Sequence, residues 1–136
     1  INIETLILKY RLNIFAEHFF PINHSLLVLP GTKINQLKDV YSHTAALSQS
    51  NKFIRKNNLR ENVMADTAGS ALFVSKNKDH TKAAIASEQS AKIYGLEVLS
   101  SKIQDDEENF TRFLVFQNEI CQPAYKKNIN YITCFL

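Results

Sequence analysis

The chain has 136 residues, 45% of them hydrophobic and 21% charged, with a net charge of +3, which is enough for one domain that buries about two-thirds of its unfolded surface. This apolar content excludes intrinsic disorder, and no run of about 20 apolar residues is present to span a membrane. Cys121 and Cys134, the two cysteines, match no zinc spacing and cannot build a disulfide framework, so a reducing, cytoplasmic setting is expected.

The basic balance is compositional. Asn, Ile and Lys number 13, 13 and 12, a bias towards A- and T-rich codons, and Lys and Arg are scattered without aromatic interleaving. No nucleic-acid partner is expected. A first residue Ile1, with no basic-then-apolar segment behind it, reads as a fragment or an unusual start.

Ile3, Leu6, Ile7 and Tyr10 have helical spacing, which predicts a short amphipathic helix. Leu12 to Phe20 and Ile22 to Leu29 read as strands, the second closed by Pro30-Gly31. One helical turn over Ile34 to Lys38 precedes a short apolar step at Val40-Tyr41, and Ser42 is expected to open a helix reaching about Asn57. Asn62 to Ala65 then predicts a strand, and Asp66-Thr67 the cap of a helix through about Lys76. Ala83 to Ala86 predicts a buried strand, followed by a helix from the Ser87 cap to Tyr94, which Gly95 stops. Strands alternating with helices imply an α/β layer with a largely parallel sheet. Leu96 to Ile103 and Phe110 to Phe116 read as two more strands around a solvated acidic loop, Asp105-Asp106-Glu107-Glu108, and residues 118–136 show no clear period.

Ser42, Thr67 and Ser87 thus stand at strand-to-helix junctions. Each offers a hydroxyl, unpaired backbone N–H groups and the positive end of a helix dipole, and in an open α/β sheet such junctions gather at one edge. The arrangement suits a multiply charged anion, although Ser and Thr are also the commonest caps of any helix. Of the four histidines only His43 stands at a junction, and Ser42-His43 cannot work as nucleophile and base because neighbours on a helix do not face each other. No metal site is expected, since the acidic loop lacks the glycine and the alternating spacing of a calcium loop.

Tyr94-Gly95-Leu96-Glu97-Val98-Leu99, then Asp105, then Thr111-Arg112-Phe113-Leu114 closely resembles the signature of the prephenate dehydratases. Further matches run in order upstream: Phe20-Pro21-Ile22-Asn23-His24-Ser25-Leu26, Tyr41-Ser42-His43, Gln49, Asp66-Thr67-Ala68-Gly69-Ser70-Ala71 and Ala84-Ile85-Ala86-Ser87. Phe116, in place of a smaller aliphatic residue, and Thr44, where many members have Pro, are mild departures.

The resemblance implies a fold similar to the type II periplasmic binding proteins, two α/β lobes with the active site in the cleft. Residues 1–13 would be a remnant of the first lobe, 14–95 the second lobe, 96–117 strands returning to the first, and 118–136 an unassigned tail. The family's Glu-Asn-Ser/Thr segment and its phenylalanine-sensing ACT domain have no counterpart here. The implied activity is the conversion of prephenate to phenylpyruvate, water and carbon dioxide in phenylalanine biosynthesis, without a cofactor and impaired in the isolated chain. Thr111 would donate to the departing hydroxyl and Arg112 would fix charge on the substrate or the acidic loop. Ser42, His43, Gln49, Thr67, Ser87 and Phe113 would line the substrate site, with Phe113 there chiefly as packing. The implied partners are prephenate and either a second copy or a complementing chain. A non-catalytic anion-binding lobe, or a decaying gene remnant, is the other reading.

Overall fold

The computed structural model describes residues 3–118 and 133–134, which fall into two units: Ile1–Ile22 with Phe110–Leu136, and Asn23–Asn109. The larger unit is built on a five-stranded sheet. Its strands are β2 (Ser25–Val28), β3 (Asp39–Ser42), β4 (Arg60–Val63), β5 (Lys82–Ala86) and β6 (Glu97–Ser100), in the order β4-β3-β5-β2-β6. β3 is parallel to β4 and to β5, whereas β2 is antiparallel to both β5 and β6. Four strands therefore share one direction and β2 alone is reversed. The expected largely parallel sheet is present with that exception, since β2 enters the unit without a crossover helix to set its direction.

Both faces of this sheet are covered. Leu26, Val28, Val40, Ala83 and Ile85 pack with Leu47 and Ile54, while Leu27, Leu29, Ala84 and Ala86 pack with Ala71, Val74 and Ala91. Consecutive residues of β2 and β5 go to opposite faces, so each of these strands is apolar throughout rather than alternating. On one side lie α2 (Thr44–Ser48) and α3 (Asn51–Lys56), with α4 (Thr67–Asn77) and α5 (Glu88–Tyr94) on the other. Gly95 ends α5 at φ +64°, in the left-handed region where glycine is unstrained.

Two expectations for this unit are corrected. Ser42 does not open a helix: it pairs with Val63 as the last residue of β3, and His43 is the extended residue that caps α2. The single helix expected from residue 42 to about 57 is broken at Gln49-Ser50. The break is stabilised from outside the helix: the Asp105 carboxylate accepts from Lys52 N in the first turn of α3, and Asp105 N donates to Gln49 O at 2.7 Å. The acidic loop is accordingly not merely solvated.

The smaller unit contains α1 (Ile3–Tyr10), β1 (Leu12–Pro21), β7 (Phe110–Asn118) and β8 (Thr133–Cys134), with sheet order β1-β7-β8. β1 and β7 pair antiparallel from Leu12↔Asn118 to Pro21↔Phe110, with an irregularity between Ile14 and Ala16. The expected lobe limits shift accordingly. β1, placed by sequence in the second lobe, belongs with β7, and β6, expected to return to the first lobe, belongs with β2; pairing partners distant in sequence decide both. Of the expected structureless tail, Asn118 ends β7 and Thr133–Cys134 form β8, and the rest of it, Cys121 included, lies outside the described residues. Ile14, Phe15, Phe19, Phe20 and Phe110 are all more than half exposed.

Candidate functional site

The strand directions determine which segments share an edge of the larger sheet. β3, β4 and β5 end there and lead into His43, Asp66 and Ser87, while the reversed β2 begins there at Ser25, directly after His24. β6 also ends there, and Ile103 N donates to His24 O at 2.9 Å just beyond it. The predicted convergence of junctions is thus observed, with the start of β2 and the loop after β6 added to it.

Each predicted residue has a definite setting at this edge. Ser42 is fully buried and its hydroxyl donates to Ile85 O at 2.6 Å, so it ties β3 to β5 and does not face solvent as a helix cap would. His43 is exposed, and its Nδ1 accepts from Ala45 N at 3.3 Å. Thr67 is the first residue of α4 and half-buried, but the cap there is Asp66, whose Oδ1 accepts from Gly69 N at 2.6 Å. A Cβ on Gly69 would come within 2.9 Å of that carboxylate. The α4 terminus therefore already carries a negative group, which weakens its pull on a further anion. Ser87 is exposed and caps α5 by accepting from Ser90 N.

Gln49 sits in the turn between α2 and α3, exposed to solvent. Its Oε1 lies 2.7 Å from His24 Nε2 and accepts from Asn109 Nδ2 at 3.2 Å. His24 is itself buried and held by its backbone, its N–H donating to Gln104 Oε1 at 3.1 Å. Gln104 is anchored in turn, donating to Asn23 Oδ1 at 3.2 Å. With its carbonyl oxygen doubly engaged on an exposed residue, Gln49 has its NH2 left for donation. His24 and Asn109, which sequence reasoning did not single out, join Gln49 in one hydrogen-bonded cluster; a histidine in a strand pattern and an asparagine in an acidic loop carry no local signal of a shared partner.

Thr111, Arg112 and Phe113 lie on β7 in the smaller unit. Thr111 and Phe113 share one face of the strand and Arg112 takes the other. Thr111 is half-buried opposite Phe20. Arg112 is paired with Glu17: Nε and Nη2 each lie 2.7 Å from Glu17 Oε2, and the guanidinium also stands over the Phe19 ring. Glu17 on the neighbouring strand is thus a partner of Arg112 that the sequence did not single out.

The displaced pKa values lie at the opposite edge of the larger sheet, where β3 and β5 begin. Arg60, helped by Asn62, holds the Asp39 carboxyl below its usual range. Asp79 is lowered to about 2 by hydrogen bonds from Thr81 N–H and hydroxyl and from Lys82. These groups cap and staple the sheet. Among the described residues no group of His, Cys, Asp and Glu could hold a metal ion.

This architecture, a mixed α/β sheet with polar junctions along one edge, is that of the α/β dehydratases related in fold to the type II periplasmic binding proteins. The profile of the family described as prephenate dehydratase matches residues 1–121, and the chain belongs to that family. It is 42% identical over 120 residues to the arogenate dehydratase/prephenate dehydratase 6, chloroplastic, of Arabidopsis thaliana, covering 87% of this chain and 29% of that one. Among solved structures it resembles the prephenate dehydratase of Staphylococcus aureus subsp. aureus Mu50, with TM-score 0.75 and 26% identity over 86% of this chain and 43% of that one. A quorum-quenching acylase, GqqA, has TM-score 0.71 and 33% identity over 83% of this chain and 40% of that one. The chain spans less than a third of the length of the Arabidopsis relative.

Proposed function

We propose that this chain forms part of an enzyme that dehydrates and decarboxylates prephenate, or its amino counterpart arogenate, in the synthesis of phenylalanine. The observation that carries this reading is the position of Gln49, with its amide NH2 available for donation, on the same sheet edge as the helix starts at His43, Thr67 and Ser87. The Gln49 NH2, the hydroxyls of Thr67 and Ser87 and the starts of α2 and α5 supply the donors that a substrate with two carboxylates requires, while the α4 start, already carrying Asp66, contributes least. Ser42 supports the edge from within.

In the reaction the bond from the ring to its carboxylate breaks, and carbon dioxide leaves. The freed electron pair enters the ring, which becomes aromatic as the hydroxyl departs and takes up a proton to form water. Aromaticity supplies the driving force, so the protein's tasks are to fix the pose and to help the hydroxide leave. In this reading Thr111 takes the second task as a hydrogen-bond donor, Arg112, paired with Glu17, supplies positive charge, and Phe113 serves as packing. The reaction as written needs no cofactor. A cytoplasmic setting goes with this reading, in a chain whose described helices include none long and apolar enough to cross a membrane. A second copy or a complementing chain would supply the rest of the site.

Titrating prephenate and phenylpyruvate against the 15N-labelled chain tests the reading. Amide shifts should move together at His43, Gln49, Thr67 and Ser87. Shifts confined to the edge carrying Asp39 and Asp79 would overturn it.

A further inference from the structure

We infer that His24 is a positioning residue for Gln49, fixing which end of the Gln49 amide is presented to a ligand. The inference rests on the proposed role of Gln49 as a donor to a substrate carboxylate. A glutamine amide can turn about its last bond, exchanging a donor for an acceptor. Turned the wrong way, Gln49 would present a carbonyl oxygen to a carboxylate and repel it.

Two features prevent that turn. His24 Nε2, 2.7 Å from Gln49 Oε1, acts as donor, because the same oxygen already accepts from Asn109 Nδ2 and an NH2 in its place would face a second NH2. His24 in turn cannot swing away. It is buried and its backbone is held on both sides, the N–H by Gln104 and the carbonyl by Ile103, so the ring has little room to turn just before β2. Gln49 lies on an exposed turn between two short helices, where its own backbone would otherwise leave the side chain free to sample several rotamers. A buried donor anchored at the start of a strand and acting on an exposed polar group is how a binding site is held ready for its ligand.

The test has two arms, both on the 15N-labelled chain with His24→Gln, which keeps an N–H at similar reach, His24→Met, which keeps bulk without a donor, His24→Asn, whose donor falls short, and Gln49→Met. The first arm needs no ligand. The side-chain NH2 signals of Gln49, assigned by their loss in Gln49→Met, should be displaced from the free-glutamine position in the parent and in His24→Gln. In His24→Met, or in His24→Asn should the Met variant not fold, they should return to it. Unchanged Gln49 signals in a folded variant without the donor would overturn the inference.

The second arm titrates phenylpyruvate. His24→Met and Gln49→Met should each weaken binding by about five- to ten-fold, the loss of one hydrogen bond. The double variant should be no weaker than either single one, and His24→Gln should restore the affinity. Fully additive losses would overturn the inference, because they would make His24 a structural residue independent of Gln49. Parent-like affinity in Gln49→Met would instead overturn the proposed substrate contact of Gln49, leaving the first arm to decide what His24 does.

Discussion

Arg112 on β7 and Glu17 on β1 are joined diagonally across the strand pair, with two guanidinium nitrogens on one carboxylate oxygen, each at 2.7 Å. Glu17 stands opposite Leu114 and Arg112 opposite Phe19, so a register slip of one residue would put the two side chains on opposite faces. Both are about half exposed, and water screens the attraction. Glu17→Gln should therefore change the unfolding free energy by less than about 1 kcal/mol, measured by urea titration. A loss several times larger would mean that the pair determines the strand register.

The proposed reaction uses Thr111 in the transition state rather than in ground-state binding. When residues 1–136 are joined to, or mixed with, the remaining polypeptide of a related dehydratase, Thr111→Ala should lower the rate of phenylpyruvate formation by about a hundred-fold, the scale of one lost donor to a developing oxyanion. Substrate affinity should remain near that of the parent, and Thr111→Ser should recover much of the rate. A Thr111→Ala protein as fast as its parent would remove Thr111 from the mechanism.

Ser42 should prove structural. Its buried hydroxyl donates to Ile85 O between two parallel strands, and Ser42→Ala should cost about 1–2 kcal/mol in denaturant unfolding. Phenylpyruvate affinity extrapolated to the folded fraction should stay the same. A selective loss of binding at unchanged stability would return Ser42 to the substrate site.

Asp79 gives the larger unit a defined acid dependence. Its folded pKa is lowered to about 2 from an ordinary 3.8, chiefly by hydrogen bonding from Thr81. The stabilising contribution is therefore complete above about pH 4 and fades as pH falls towards 2. Asp79→Asn should be less stable than the parent at neutral pH, with the gap closing below about pH 3; thermal melts across that range would show it. A gap that persists at pH 2 would place the effect elsewhere.

The smaller unit should drive self-association. Ile14, Phe15, Phe19, Phe20 and Phe110 are each more than half exposed, and such apolar strand surface seeks a partner. Light scattering on residues 1–136 should find dimers or larger species, reduced by Phe15→Ser with Phe19→Ser. A monomer over a wide concentration range would count against a complementing chain or second copy at this surface.

Local sequence determined most of the elements of this protein. Hydrophobic spacing marked α1, β1 and β2, and capping chemistry marked α4 and α5, because those signals lie within a few residues of the elements they shape. The ordered motifs from Phe20 to Leu114 also carried the family. Tertiary structure alone decided the partners. β1 joined β7 rather than the nearer strands, β2 was reversed within an otherwise parallel sheet, and Asp105 broke one expected helix into two by capping the second. The same holds at the site, where Ser42 proved to be buried, Arg112 to be paired with Glu17, and Gln49 to be held by His24 and Asn109. Each of these pairs residues 21 or more positions apart along the chain, and the free energy that selects them comes from packing and hydrogen bonds formed only once the sheet has closed.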